Sequence, residues 1–271
     1  MTIYQRSLVS RLIRFKIDVF DANLEDAEVE VEDSWPSTMK QGGSFKVGHI
    51  ILGSVQKPVS FKEVSAAHNN DPAFSHFYSR FSRFLRTQYS FEYADFDGKK
   101  LKVRFHDNLS TIWPQMKFLQ ISEYCYLKVS FTSKVTWQNE INHLRCNPKF
   151  NNKPRYNYIL VSAPNGVIFA QLIFIFTTTT NNEIDPWILI QPLDAEVPPP
   201  SAQEKDLQLF RIRARPRSSS SFISAKSIIR GVVVIPTNVE EGDFYVFDLL
   251  DDDIFIRVRD LWRERRIGQD L

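Results

Sequence analysis

Beyond about Ile121 the apolar residues of this chain stop recurring every three to four positions. They begin instead to alternate, or to run together in short β-rich blocks, and that change of period constrains the fold more than any other feature. A period of two sends successive side chains to opposite faces of an extended strand, whereas a period near 3.6 gives a helix one apolar stripe. The blocks fall at 124–132, 156–163, 167–178, 187–191, 207–214, 222–229, 232–235, 244–250 and 254–258, with a short helix expected at 137–144. Asn165-Gly166 separates two of them and predicts a tight hairpin, because the favoured two-residue turn needs positive φ at both central positions. Asn181-Asn182 predicts another turn, and Pro198-Pro199-Pro200 with Ser201 an exposed loop. The most apolar block, VIFAQLIFIF at 167–176, has about half the length a membrane-spanning helix requires, and reads as a buried strand.

Ahead of the switch the periodicity is helical. Leu8, Leu12 and Phe15 recur at helical intervals among Arg6, Arg11, Arg14 and Lys16, but without the unbroken apolar core or cleavage site of a secretory leader. From 18 to 33 there are eight acidic residues and no basic one, which predicts a solvated linker. Asp71-Pro72 then supplies an N-cap residue and a proline at a first helical position, followed by Phe74, Phe77, Tyr78, Phe81, Phe84 and Leu85 on one face. Arg80, Arg83 and Arg86 project elsewhere and make a secondary basic face. These elements predict an α+β protein: an N-terminal helix and acidic linker over 1–41, a helical segment over 42–118, a mostly antiparallel β-barrel or sandwich over 119–262, and a tail over 263–271.

The 34 Lys and Arg nearly balance the 32 Asp and Glu, so only local clusters argue for an anionic partner. The densest runs from 205 to 230, with seven basic residues and one acid. Within it Arg211, Arg213, Arg215 and Arg217 alternate with Phe210, Ile212, Ala214 and Pro216. In a strand this places guanidiniums on one face about every 6.6 Å. Lys226 and Arg230 extend the set. Such a row suits phosphates or an acidic peptide, and it equally suits a charged edge strand that resists edge-to-edge pairing. The Ser218-Ser219-Ser220-Ser221 run reads as a turn, or as a loop whose phosphorylation would cancel the arginines' charge.

The remaining polar clusters point away from catalysis. Asp251-Asp252-Asp253 is rich in hard-cation ligands, but three successive residues do not converge on one ion from an extended strand, and a turn is expected there. With Glu240, Glu241, Asp243 and Asp248 it makes an acidic patch opposite in sign to the arginine row. Cys125, His143 and Cys146 supply at most half a zinc site, and two cysteines fit a reducing compartment better than a disulfide scaffold. No nucleophile elbow, phosphate-binding glycine loop or H-E-x-x-H pair is present in the sequence. The expectation is a non-enzymatic protein with no cofactor, no metal and no membrane association.

The phrases LKVSF, LRCNP, PRYN, GVIFAQL, LIQPLDA, DLQLFRIRARPRS, FISAKSIIRGVVVIP and DFYVFDLLDDDIFIRV resemble the C-terminal region of fungal transposable-element proteins of the KDZ and plavaka kind. LGSVQKPVSFKEVSAAHNNDPAFSHF resembles the segment preceding it, so the resemblance runs from about Val47 to Leu261. It implies a nuclear or nucleic-acid setting, although the acidic catalytic core of a transposase is not recognisable. The strand order around Ser227-Ile228-Ile229-Arg230-Gly231 and Phe244-Tyr245 is also similar to the barrel of bromo-adjacent-homology domains, which bind chromatin. The expected function is therefore an interaction module whose Arg211–Arg217 face, with Lys226 and Arg230, takes an acidic protein or chromatin partner. Direct nucleic-acid binding aided by Arg80, Arg83 and Arg86, or a degenerate transposase, are the alternatives.

Overall fold

The computed structural model describes residues 45–94, 120–150, 153–164, 166–180, 183–207, 209–237, 241–249 and 251–267. The basic segment at 8–15, the acidic run at 18–33 and the turn residues Asn165, Asn181 and Asn182 lie outside them. The chain forms an α+β protein dominated by antiparallel pairing.

The longest strands organise it. β4 (Gln120–Thr132) and β8 (Gly166–Thr180) pair through Ile121↔Thr178 to Tyr124↔Ile175, then diverge, and each gathers further strands along its free edges. β4 takes β2 (Ile50–Val55), itself flanked by β1 (Phe45–Val47), along with β3 (Val59–Ser60) and β5 (Asn139–Phe150), beyond which lies β6 (Lys153–Tyr156). β8 takes β7 (Tyr158–Ala163), then β12 (Ile228–Val232), and on its other edge β9 (Glu183–Pro192), then β11 (Ser221–Ser224). The β7–β8 turn has Gly166 at φ +116°, a conformation that L side chains rarely adopt. A second sheet has the order β10 (Arg211–Arg213), β14 (Asp243–Val246), β13 (Val234–Pro236). The main sheet curls until β12 lies across β5, where Gly231 N donates to Asn142 Oδ1 at 2.9 Å, but no ladder closes it among the described residues.

Two apolar clusters hold this sheet. The larger fills the curl with Ile50, Leu52, Leu127, Val129, Leu144, Ile175, Ile188 and Phe210. The second is aromatic and lies under α1 (Phe61–Ala67) and α2 (Phe77–Ala94). Ser60 and Glu63 form a reciprocal capping box on α1. Asp71 Oδ1 accepts from Ala73 N at 2.9 Å, so the Asp71-Pro72 signal opens a 3-10 turn (Pro72–Phe74), with α2 starting three residues later. Phe77 and Phe81 then seat against Phe176 and Phe222, as the aromatic stripe predicts.

Several expectations are corrected. Of the expected helix at 137–144, Asn139 onward is strand, because Asn142, Leu144 and Cys146 alternate inward and the segment pairs along β4, while 137–138 lie in the hairpin turn. At 207–214 only Arg211–Arg213 is extended. Leu207 ends α3 (Ala202–Leu207), at whose start Ser201 and Glu204 bond reciprocally. A 3-10 turn (Ala225–Ser227) breaks 222–229, and β14 stops at Val246. The block at 254–258 belongs to helix α4 (Asp252–Ile267), for Asp251 Oδ1 accepts from Asp253 N and Ile254 N and caps a stripe of Ile254, Val258 and Leu261. The acidic triplet is therefore a helix start. The segment 42–118 contributes β1–β3 to the main sheet, and 263–267 continue α4. Among the described residues no helix is long and apolar enough to cross a membrane.

Candidate functional site

Ile212 is buried in β10, and the flanking Arg211 and Arg213 share the opposite face, as alternation requires. Arg215 and Arg217 lie beyond the strand, past which Pro216 precedes another 3-10 turn (Arg217–Ser219). Each arginine meets its own carboxylate. Arg211 Nη1 lies 3.3 Å from Glu204 Oε1, and its Nη2 donates to the Pro198 carbonyl at 3.0 Å. Arg213 grips Asp243, its neighbour in register, through Nε at 2.5 Å and Nη2 at 3.0 Å. Arg215 grips Asp194 through the same nitrogens at 2.6 and 2.8 Å, and Arg217 Nη2 reaches Asp71 Oδ2 at 2.8 Å. These carboxylates come from four separate parts of the chain.

Arg230 is 3% exposed and bonds Asp253 at 2.5 Å and Asp251, with its guanidinium 4.3 Å from the Phe131 ring centroid. Asp253 also accepts from Arg257 Nε at 2.6 Å and Lys134 N at 2.5 Å. Burial pushes the Asp253 carboxyl up, but these donors outweigh it and hold the group below its ordinary value. Burial likewise opposes, and hydrogen bonds outweigh, at Asp71, bonded by Arg217 and Ala73 N, and at Glu204, bonded by Ser201 and Tyr245. The expected row is thus a set of struts whose charges are locally cancelled. An external anion would compete with a carboxylate already in bidentate contact.

Arg215 is the most accessible of the four, at 49%. Its pair with Asp194 is worth about 0–1 kcal/mol, so Arg215→Gln is expected to move the urea unfolding free energy by no more than that. Lys226 is exposed. On the secondary face Arg80 is a strut as well. It donates to Ala73 O at 2.9 Å and to Ser220 O, while Arg83 and Arg86 are exposed. Ser220 is buried, with its hydroxyl donating to Arg217 O at 2.6 Å, so the serine run is folded as a turn.

The other face of β1, β2, β4 and β5 carries charge that sequence density does not reveal. Leu52, Leu127 and Leu144 stand side by side facing the core, so their chain neighbours face outward. One outward row crosses four strands in register, as Lys46, Ile51, Lys128 and His143. The adjacent row is Gly53, Tyr126 and Arg145. Tyr126 lies across Gly53 so closely that a Cβ built there would overlap its ring. Past Arg145 the guanidiniums of Arg145 and Arg155 sit 4.6 and 5.0 Å from the Phe150 ring centroid. The other outward positions where β4, β5 and β6 pair are Ser130, Thr132, Asn139, Ile141 and Asn147, whereas further along β4 Glu123 shares the side of Ile121 and Phe176, opposite the core residues Tyr124 and Ile175. Glu140 is in register with the buried Phe131, on the opposite phase. At the tip of the β4–β5 hairpin Trp137, at φ 59°, is 79% exposed.

Among the described residues no group of three His, Cys, Asp or Glu is placed to hold a metal ion. Burial, then the nearby Glu123, pushes the Cys125 thiol up to about 11, and burial holds Cys146 well above its ordinary value. Both thiols are therefore expected to resist alkylation by iodoacetamide at pH 8 in the folded protein, and to react once urea unfolds it.

Compared with protein-family models, with curated proteins and with solved structures, the chain matches none. The outward sheet rows escape sequence reading because their cations are scattered from Lys46 to Arg155. The alternation of His143 and Arg145 about Leu144 is the signal that finds them, once 139–150 is read as strand.

Proposed function

We propose that the protein is a non-catalytic interaction module that binds an anionic partner, an acidic protein or chromatin component, through a basic β-face. That face is the outward side of β1, β2, β4, β5 and β6 rather than the arginine row. The reading is carried by one observation, the gathering of Lys46, Lys128, His143, Arg145 and Arg155 on one sheet surface by strand register. A surface on which cations are gathered attracts polyanions and steers their approach. The arginines at 211–217 and 230 stiffen the scaffold that presents it. The setting we infer for such a module is nuclear and transposon-derived, as the resemblance of its phrases to fungal transposon proteins implies, with the curled sheet as a barrel- or sandwich-like body.

The test is retention on an immobilised polyanion. Lys46→Glu combined with Lys128→Glu is expected to lower the salt concentration at which the protein elutes from heparin, while Lys226→Glu leaves it within experimental scatter. Equal elution of wild type and double variant refutes the reading.

A further inference from the structure

We infer that Cys125 and Cys146 are a reversible oxidation site, joined as a cross-strand disulfide when the chain folds in the presence of glutathione disulfide. The inference goes beyond the anion-binding reading and stands independently of it. The observation behind it is strand register. The β4–β5 ladder runs from Thr132↔Asn139 to Tyr126↔Arg145, and one step further along both strands Cys125 faces Cys146. Facing residues of neighbouring strands point to the same side of the sheet, so the two thiols stand side by side. The sequence holds no third cysteine, so each has a single partner within the chain.

The backbone spacing suits the bond. Arg145 N donates to Asn157 Oδ1 at 2.7 Å and Arg145 O accepts from Asn157 N at 2.9 Å, so Arg145 turns both backbone groups away from β4. The Tyr126–Arg145 pair is therefore non-hydrogen-bonded, and by the alternation of an antiparallel ladder the next pair, Cys125–Cys146, is of the hydrogen-bonded kind. Ser133 N, which donates to Gln138 O at 2.9 Å at the hairpin end, fixes the same phase. Facing Cα atoms in such a pair are about 5.5 Å apart, inside the range of about 4.4–6.8 Å that a disulfide spans. Both thiols are free in the structure, Cys146 is 3% exposed, and Cys125 is among the groups that raise it. Burial that keeps the thiols protonated also keeps oxidants from them in the folded protein. The bond therefore forms while the chain is still open, and the fold then holds its two ends together.

The chemistry balances with glutathione disulfide as the oxidant. One cysteine thiolate attacks a glutathione sulfur and releases the first glutathione thiolate; the second attacks the protein sulfur of that mixed disulfide and releases the other. Two protein thiols lose two protons and two electrons, and two glutathione molecules gain them. The experiment is refolding of the full chain from urea into about 10 mM reduced and about 0.1 mM oxidised glutathione at pH 8, begun once from the reduced and once from the oxidised chain, beside a sample kept in urea. A flexible loop gives an effective thiol concentration in the millimolar range, so in urea the dithiol is expected to exceed the disulfide by about tenfold or more. In the folded protein the ratio should invert to a disulfide excess of about tenfold or more, a shift of at least about a hundredfold. The product should be about 2 Da lighter than the reduced chain, with the peptides bearing Cys125 and Cys146 joined and no glutathione attached. Oxidised protein should unfold at a higher urea midpoint than reduced protein, because the cross-link removes freedom from the unfolded chain. Cys125→Ala should show one midpoint in both conditions.

Equal disulfide fractions with and without urea, a folded protein that carries glutathione adducts or covalent dimers instead, or an oxidised midpoint at or below the reduced one each overturns the inference. None of these outcomes bears on the heparin test of the basic face.

Discussion

Replacing Phe81 by Ala is expected to lower the unfolding free energy by about 3–5 kcal/mol, the range for deleting a buried aromatic side chain. Phe81 is fully buried, and its ring meets Phe61, Phe84, Phe176, Trp187 and Phe222 at centroid separations between 5.1 and 6.3 Å. The void cannot be filled cheaply. Its walls come from α1, α2, β8, β9 and β11, and the three strands are fixed by their own ladders. The loss should appear in urea unfolding as a lower midpoint with an unchanged slope. It should also alter the near-UV circular dichroism to which Trp187 contributes. Phe84→Ala, at a partly exposed position of the same helix, is the comparison and should cost less. Equal costs at the two positions would mean that α2 is held by something other than this aromatic cluster.

Asp253→Ala is expected to destabilise by a similar amount, about 3–5 kcal/mol, for a different reason. Asp253 is 3% exposed and accepts from Arg230, Arg257 and the Lys134 amide, so its removal leaves the buried Arg230 with the half-exposed Asp251 and orphans an N–H. Unpaired buried charge is what makes the loss large. The pH dependence carries the same signature. Asp253, Asp71 and Glu204 are all held below their ordinary values of 3.8 and 4.5, so their stabilisation is fully present above those values and disappears as pH falls through the lower folded ones. Wild-type urea midpoints should stay level from neutral pH to about pH 5 and drop below about pH 4, and Asp253→Ala should show a shallower acid limb. An unchanged acid limb in that variant would contradict the assignment.

How much of this was legible beforehand varies with the range of the forces involved. The unbroken apolar run at 167–176 is a local consequence of a strand covered on both faces and the stripe from Phe74 to Leu85 of a helix buried on one, and both stand as read. The block at 254–258 misled because four apolar residues in five suit a strand or a buried helix equally. What decides is Asp251, whose carboxylate caps the helix, and that signal is present in the sequence. The helix expected at 137–144 failed because the inward residues Asn142, Leu144 and Cys146 alternate across the point where it was to end.

The arginine row was visible as a row, but its meaning was not. Glu204, Asp243, Asp194 and Asp71 are brought to it by the fold, and no local pattern pairs Arg217 with a residue 146 positions away. The outward rows have the opposite character. Their cations are too dispersed to raise local charge density, and only strand register assembles them.

The Arg80 to Ser220 hydrogen bond joins residues 140 apart, and the aromatic face of α2 closes on Phe222 just beyond it. A ribosome adds about 5–20 residues each second, so α2 emerges about 7–28 s before the last wall of its pocket exists. For that interval a stripe of phenylalanines is presented to solvent with only α1, among the described elements of the main aromatic cluster, already made to cover it. Synthesis of this protein is therefore a dependent process, in which yield is governed by whatever shields the nascent helix and by the speed of translation through 95–222. Slower codons over that stretch should reduce the folded fraction even though the finished molecule is unchanged.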